Sequence, residues 1–206
     1  MELEVLLKVE QTLLQGTSVR TLSFNEKELE FISSLQLITI KPVLYVCNVD
    51  ESSAVSGNSY VDMVKEAVKN EDAEVIILAV GTEADISELE DYDERQLFLE
   101  DIGLKEAGVS RLIRSAYKLL NLQTYFTAGV KEVRAWTIPI GATGPKAAGV
   151  IHTDFEKGFI RAETISYEDY VTYGTETKVK EAGKMRVEGK EYVVQDGDVM
   201  HFRFNV

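Results

Sequence analysis

Two apolar runs with one helical period between them constrain this chain most. Residues 36–49 are rich in Leu, Ile and Val and read as strand. Pro42 interrupts that run, so its well-paired part follows the proline. Glu74 to Val80, EVIILAV, is the second run. Between them Tyr60, Met63, Val64, Ala67 and Val68 recur at helical spacing. Strand, helix and strand in this order form a parallel βαβ unit. Apolar character on both faces of the strands expects a larger sheet around them. The first run ends abruptly in LYVCNVDE, residues 44–51, with an amide and two carboxylates at its tip. Strand tips are where open α/β sheets bind ligands.

Around this unit the pattern is helical. Residues 2–15 carry Leu3, Val5, Leu6, Val9, Leu13 and Leu14 near helical spacing, and Gly16 and Thr17 follow as a stop. Ser23 and Glu26 have capping-box spacing ahead of a helix with Leu29, Ile32 and Leu35. The acidic segment Glu83 to Asp101, offset by Arg95 alone, reads as a short solvated helix pair. It has no EF-hand spacing. Residues 109–121 form a helix with Leu112, Ile113, Ala116, Leu119 and Leu120 on one side.

After Asn121 the character changes. Gln123–Thr127 and Glu132–Ile138 read as strands paired around Gly129. Lys184–Val187 and Glu191–Val194 flank a Gly-containing hairpin loop. The last run, VMHFRFNV, alternates: Met200, Phe202 and Phe204 on one face, His201 and Arg203 on the other. Four or five strands with one or two short helices predict a small α+β roll. Charge divides in the same place. Residues 1–122 hold 11 Lys+Arg against 23 Asp+Glu, whereas residues 123–206 hold 11 against 12. If either part meets a polyanion, it is the second.

No apolar run approaches the ~20 residues needed to span a bilayer, so no membrane partner is expected. The acidic start MELEVLLKVE lacks the basic region of a secretory signal. Cys47 is the only cysteine, which excludes a disulfide framework and suggests the cytoplasm.

Gly141-Ala142-Thr143-Gly144-Pro145-Lys146 superficially resembles a phosphate loop. A Walker loop has four residues between its glycines and then Lys with Ser or Thr. Here Gly144 follows Gly141 too closely, Pro145 lacks an N–H, and Ala147 stands where the hydroxyl belongs. No other stretch of the chain supplies such a loop. His152, Asp154 and Glu156 would share a face of an extended segment, a weak metal signature against a polar loop. The chain offers no Ser/His/Asp or Cys/His constellation. Arg134, Lys146, Lys157, Arg161, Lys184, Arg186 and Lys190 lie among aromatics, which suits single-stranded or looped RNA, although spacing alone favours rings that fill a core and cations that solubilise.

In many nucleotide-binding α/β domains a strand ends in Asn-Lys-x-Asp, whose Asp accepts two hydrogen bonds from guanine. Here Asn48-Val49-Asp50-Glu51 puts Val at the Lys position and the longer Glu at the Asp position. A displaced carboxylate no longer matches guanine's paired donors. An amide can pair with the donor and acceptor edge of adenine.

Beyond the motif, three long stretches resemble the C-terminal region of the YchF-type, Obg-like ATPase family. They are NLQTYFTAGVKEVRAWTIPIGATGPKAAGVIHTDFEKGFIRAETIS (121–166), EAGKMRVEGKEYVVQDGDVMHFRFNV (181–206) and KPVLYVCNVDE (41–51). The resemblance covers essentially the whole chain. It implies three parts. Residues 1–37 would be the returning part of a helical, coiled-coil insertion. Residues 38–122 would be the C-terminal half of a P-loop nucleotide-binding α/β domain. Residues 123–206 would be a TGS domain, an α+β, ubiquitin-like β-grasp. By the same resemblance Asn48, Val49 and Glu51 contact the base, and Ala79 and Val80 lie where the last nucleotide loop passes it. ATP, with GTP as the weaker alternative, and magnesium would be the ligands of an intact protein. The ribosome or RNA would be the partner of the TGS part. Phosphate loop, switches and magnesium ligands are not among these residues, so the chain alone is expected not to hydrolyse ATP. Its partners would include the N-terminal half of the nucleotide domain, and its open sheet edges invite self-association. The rival expectation is a stand-alone β-grasp adaptor for RNA or the ribosome, with no nucleotide role.

Overall fold

The computed structural model describes residues 1–71 and 73–205. They form two compact units, Met1–Leu119 and Leu120–Val206.

The first unit opens with helices α1 (Glu2–Leu14) and α2 (Glu26–Ser34). Val5 and Val9 of α1 meet Val19 and Ile32 in a small core, with Leu22, Phe24 and Phe31 packed against it. The cap of α2 is Asn25, not Ser23: its side chain accepts from Glu28 N–H, and Glu28 returns the bond to the Asn25 N–H. Asn25 and Glu28 are therefore the capping box, two residues beyond the pair with the expected spacing. The expected strand from 36 shortens to β1 (Leu44–Asn48), preceded by one turn of 3-10 helix at Ile38–Ile40. Helix α3 (Ser59–Ala67) follows, capped by the Asn58 side-chain oxygen, which accepts from the Tyr60 and Val61 N–H groups. Strand β2 (Glu74–Leu78) then pairs parallel with β1, from Leu44↔Glu74 to Asn48↔Leu78.

The second apolar run was expected to continue to Val80. Instead Val80 begins helix α4 (Val80–Glu88), with Ala79 as its cap residue. The chain leaves the strand because Val80 N–H finds an acceptor on Asn48 rather than in the ladder. Helices α5 (Tyr92–Asp101) and α6 (Gly108–Leu119) complete the unit, and α4 with α5 forms the expected acidic pair.

The second unit is a five-stranded mixed sheet of order β4-β3-β7-β5-β6. Its strands are β3 (Leu122–Ala128), β4 (Val133–Pro139), β5 (Phe159–Ile165), β6 (Arg186–Glu188) and β7 (Val199–Phe204). β3 and β4 form a hairpin from Leu122↔Pro139 to Ala128↔Val133. β3 runs parallel to β7, while β5 is antiparallel to both β7 and β6. Four short helices connect them, more than expected: α7 (Gly144–Ile151), α8 (Thr153–Lys157), α9 (Tyr167–Tyr173) and α10 (Glu176–Glu181).

Period-two alternation gives this sheet two apolar faces. Tyr125, Ile138, Phe159, Ala162 and Phe202 close one core with Ala147 and Ala148 of α7. Ile165, Val179 and Val199 close a second with Tyr170, Tyr173 and Phe126. Tyr125 is fully buried, and its hydroxyl donates to the Ala147 carbonyl at 2.9 Å. Burial pushes its phenol well above the usual tyrosine range.

Two sequence expectations fail here. Residues 184–187 and 191–194 do not pair with each other. β6 pairs with β5, and the following segment turns back through Tyr192 N–H to Gly189 O. Val193 bridges Thr143, and Val194 N–H donates to Ala142 O. The buried Val194 seats the segment beside the start of α7, which wins over a simple hairpin. Residues 152–156 are not extended either. His152 caps α8, so its partners at 154 and 156 lie on helical, not strand, spacing.

Candidate functional site

At the C-terminal tips of β1 and β2, Asn48 holds the two strands in step. Its Oδ1 accepts from Val80 N–H at 3.1 Å, and Val49 N–H donates to Leu78 O at 2.8 Å. Asn48 is exposed, and its side-chain NH2 has no protein partner among the described residues. One carbonyl lone pair and two amide hydrogens therefore face outward. Asp50 is spent locally: its carboxylate accepts from Ser52 hydroxyl at 2.7 Å and Ser53 N–H at 2.9 Å. These hydrogen bonds hold its carboxyl below the usual range, Ser52 contributing most. Glu51 opens a 3-10 turn and is exposed. Ala79 is buried, whereas Val80 is exposed. Asn48 thus touches Val80, with Val49 beside them, while Glu51 has no bonded contact to the other four.

Two residues outside the motif brace this tip. Glu83 of α4 accepts from Gly108 N–H at 2.7 Å and from Val109 N–H at 3.3 Å, capping α6 across sequence. Arg111 of α6 donates to Ile77 O at 2.9 Å, one residue before the end of β2. Gly108 is required by contact: a Cβ there would meet the Leu78 side chain and stand 2.6 Å from Glu83 Oε1. Sequence patterning placed Glu83 in a solvated acidic face, and only the fold shows it as a cap.

The seven cations of the second unit that lie among aromatics in the sequence are not equivalent. Arg134 lies over the Trp136 ring, 4.1 Å from its centroid. Lys146 pairs with Glu156 at 2.6 Å, and Lys184 with Asp169 at 3.8 Å. Lys157 and Lys190 line a shared surface cleft, and Arg161 is exposed on β5. Arg186 is committed inward: it donates to Asp198, which is 2% exposed, at 3.1 Å and to the Tyr192 hydroxyl at 3.0 Å. Tyr192 donates in turn to Asp198 at 2.6 Å, and burial together with that bond pushes its phenol up to about 12. Asp198, which follows Gly197 just before β7, anchors an internal cluster that the sequence pattern does not reveal. Among the described residues no group of three or more His, Cys, Asp or Glu could hold a metal ion. No helix among them is long and apolar enough to cross a membrane.

Comparison with known proteins agrees along the chain. The family model YchF-GTPase_C, described as a protein of unknown function (DUF933), matches residues 122–205. A Pasteurella multocida protein named ribosome-binding ATPase YchF is 54% identical over 205 residues, covering 100% of this chain and 56% of the relative. Its Bacillus subtilis namesake is 50% identical over 207 residues, again 100% and 56%. The solved Schizosaccharomyces pombe YchF GTPase superposes with a TM-score of 0.83 at 35% identity, over 97% of this chain and 53% of that one. The chain thus spans little more than half the length of the relatives it matches. It belongs to the YchF family and corresponds to the C-terminal part of its members.

Proposed function

We propose that this chain supplies the base-side wall of an adenine-preferring nucleotide site, joined to a TGS module that contacts the ribosome or its RNA. The observation that carries the first part is the Asn48–Val80 hydrogen bond. It locks two parallel strand tips together and leaves the rest of the Asn48 amide pointing outward, where an open α/β sheet takes its ligand. Asn48 pairs with the edge of the base, Val49 contacts it through its backbone, and Ala79 and Val80 border it. Glu51 stands where a guanine-reading Asp would sit and misses guanine's two donors. ATP or GTP, with magnesium, is held mainly by phosphate-binding residues outside these 206, and hydrolysis depends on them. This chain alone turns over no ATP.

The strand order β4-β3-β7-β5-β6, with parallel neighbours in the middle and α7 across one face, supports a β-grasp for the second unit. The relatives' printed names support the ribosome as partner, and a ribosome partner fits the cytoplasm. Lys157 and Arg161 are the best-placed cations for RNA; Arg134 lies over the Trp136 ring, Lys146 and Lys184 are held in surface pairs, and Arg186 is structural. Matching along the whole chain favours this reading over a free-standing adaptor.

The test uses a polypeptide that joins these residues to a phosphate-binding half of the domain. Val49→Lys with Glu51→Asp is expected to move preference from adenine toward guanine by about tenfold or more, since a bidentate base contact is worth roughly 1–3 kcal/mol. Fluorescent ATP and GTP analogues report both affinities. Unchanged preference would refute the role given to Glu51.

A further inference from the structure

β3 and β7 are joined only at one end. Gly197 N–H donates to Thr124 O at 2.8 Å, and Phe126 N–H to Asp198 O at 2.8 Å. Their one paired register is Phe126↔Val199. Past that point β3 keeps its partner β4, and β7 keeps its partner β5, but β3 and β7 part. Alternate residues of a strand direct their peptide groups to opposite neighbours. Phe126 and Asp198 fix the parity, so Ala128, Phe202 and Phe204 direct theirs into the opening, where no strand takes them.

The opening is a cleft of about 460 Å³. Trp136 and Thr127, joined by a 2.9 Å hydrogen bond, line one side. Phe155 and Phe204, stacked with centroids 3.7 Å apart, line the other. Lys131 and Arg134 stand on the hairpin beside it, and neither has a carboxylate partner among the described residues. Glu132 offsets only one of them.

We propose that this cleft takes an extended peptide segment of a partner protein, with alternating apolar side chains and acidic flanks. The free edge of β7 pairs with the peptide backbone, the aromatic walls take its apolar side chains, and Lys131 and Arg134 meet its carboxylates. The chemistry favours a peptide over single-stranded RNA. The backbone groups that Ala128, Phe202 and Phe204 direct into the opening match the regularly spaced donors and acceptors of a peptide backbone, which a nucleotide strand does not repeat. This assignment stands independently of the nucleotide site.

The probe is a decapeptide with a Val-Thr-Leu-Thr-Val-Thr centre and Asp-Glu at each end, titrated into the isotope-labelled chain. The Ala128, Phe202 and Phe204 amides are expected to shift and to gain protection from hydrogen exchange. The same peptide with Pro in place of its first Thr loses a backbone donor and is expected to bind about tenfold more weakly. Lys131→Glu with Arg134→Glu is expected to weaken binding about tenfold and to flatten its salt dependence. A wild-type map that leaves these amides unmoved overturns the proposal. So does an equal affinity of the Pro peptide, which decides the matter even if the charge-reversed protein does not fold. A ten-nucleotide oligouridylate that moves the same amides and resists displacement by the peptide would overturn it in favour of RNA.

Discussion

The two units bury their apolar side chains very differently. In Leu120–Val206, five strands and a helix enclose Tyr125, Ile138, Ala162 and Phe202, with a second cluster on the opposite face. In Met1–Leu119, two strands form the only sheet among the described residues, and the apolar faces stay open. Leu3, Leu14, Ile38, Tyr60 and Met63 are all more than two-thirds exposed there, and Val46, in the middle of β1, is 44% exposed. A β1–β2 pair apolar on both faces behaves as part of a larger sheet. The second unit closes a core on each face of its sheet, whereas the first leaves the faces of its two-stranded sheet largely uncovered. Stability and dynamics should differ accordingly.

The strongest way to break this comparison is native-state hydrogen exchange. Amides of Tyr125, Ile138, Ala162 and Phe202 are expected to exchange roughly a hundredfold or more slowly than those of Tyr45 and Val46, because opening free energies follow buried contact. Equal protection in both units would mean that the open sheet is as stable as the closed one.

Next in size is Asp198→Ala. It leaves the Arg186 guanidinium, the Tyr192 hydroxyl and the Gln195 N–H without their shared acceptor. A loss of about 3 kcal/mol is expected from denaturant unfolding of the second unit, as for removal of one partner from a buried charged cluster. A loss below ~1 kcal/mol would show that water replaces the carboxylate and that the cluster is peripheral.

A smaller effect concerns alkali. The Tyr192 phenol is raised from about 10 to about 12, first by burial and then by its bond to Asp198. A raised pKa means that the folded state holds the proton more tightly than the unfolded state. The resulting stability is whole below about pH 10 and is lost as pH rises toward 12. Ultraviolet titration of the phenolate beside unfolding curves should show this loss, and Tyr192→Phe should shallow it. The smallest effect sharpens the contrast between surface and interior cations. Lys184→Ala removes a half-exposed 3.8 Å pair with Asp169 and is expected to change stability by less than ~0.5 kcal/mol. A larger loss would place Lys184 with Arg186 among the structural cations.

Much of the molecule was legible in its residues, because periodicity reports burial. The βαβ unit, the acidic helix pair, the β3–β4 hairpin and the alternation of β7 follow directly from where Val, Ile, Leu and Phe recur. The motif Asn48-Val49-Asp50-Glu51 was visible too, as polar residues at the end of an apolar run. What periodicity could not report is which distant group satisfies a polar atom. Glu83 as the cap of α6, Arg111 on the Ile77 carbonyl and Asp198 beneath Arg186 and Tyr192 all join residues far apart in sequence or separated by turns. Local spacing pointed to Ser23 as the cap of α2, and the backbone placed Asn25 there instead. The second strand ended two residues early because Asn48 claimed Val80 N–H. Local sequence therefore determined the elements and the faces they bury, since both depend on neighbours three or four residues away. Tertiary structure alone decided strand endings, cross-chain caps and the parting of β3 from β7, since each depends on where a hydrogen-bonding group finds its partner in space.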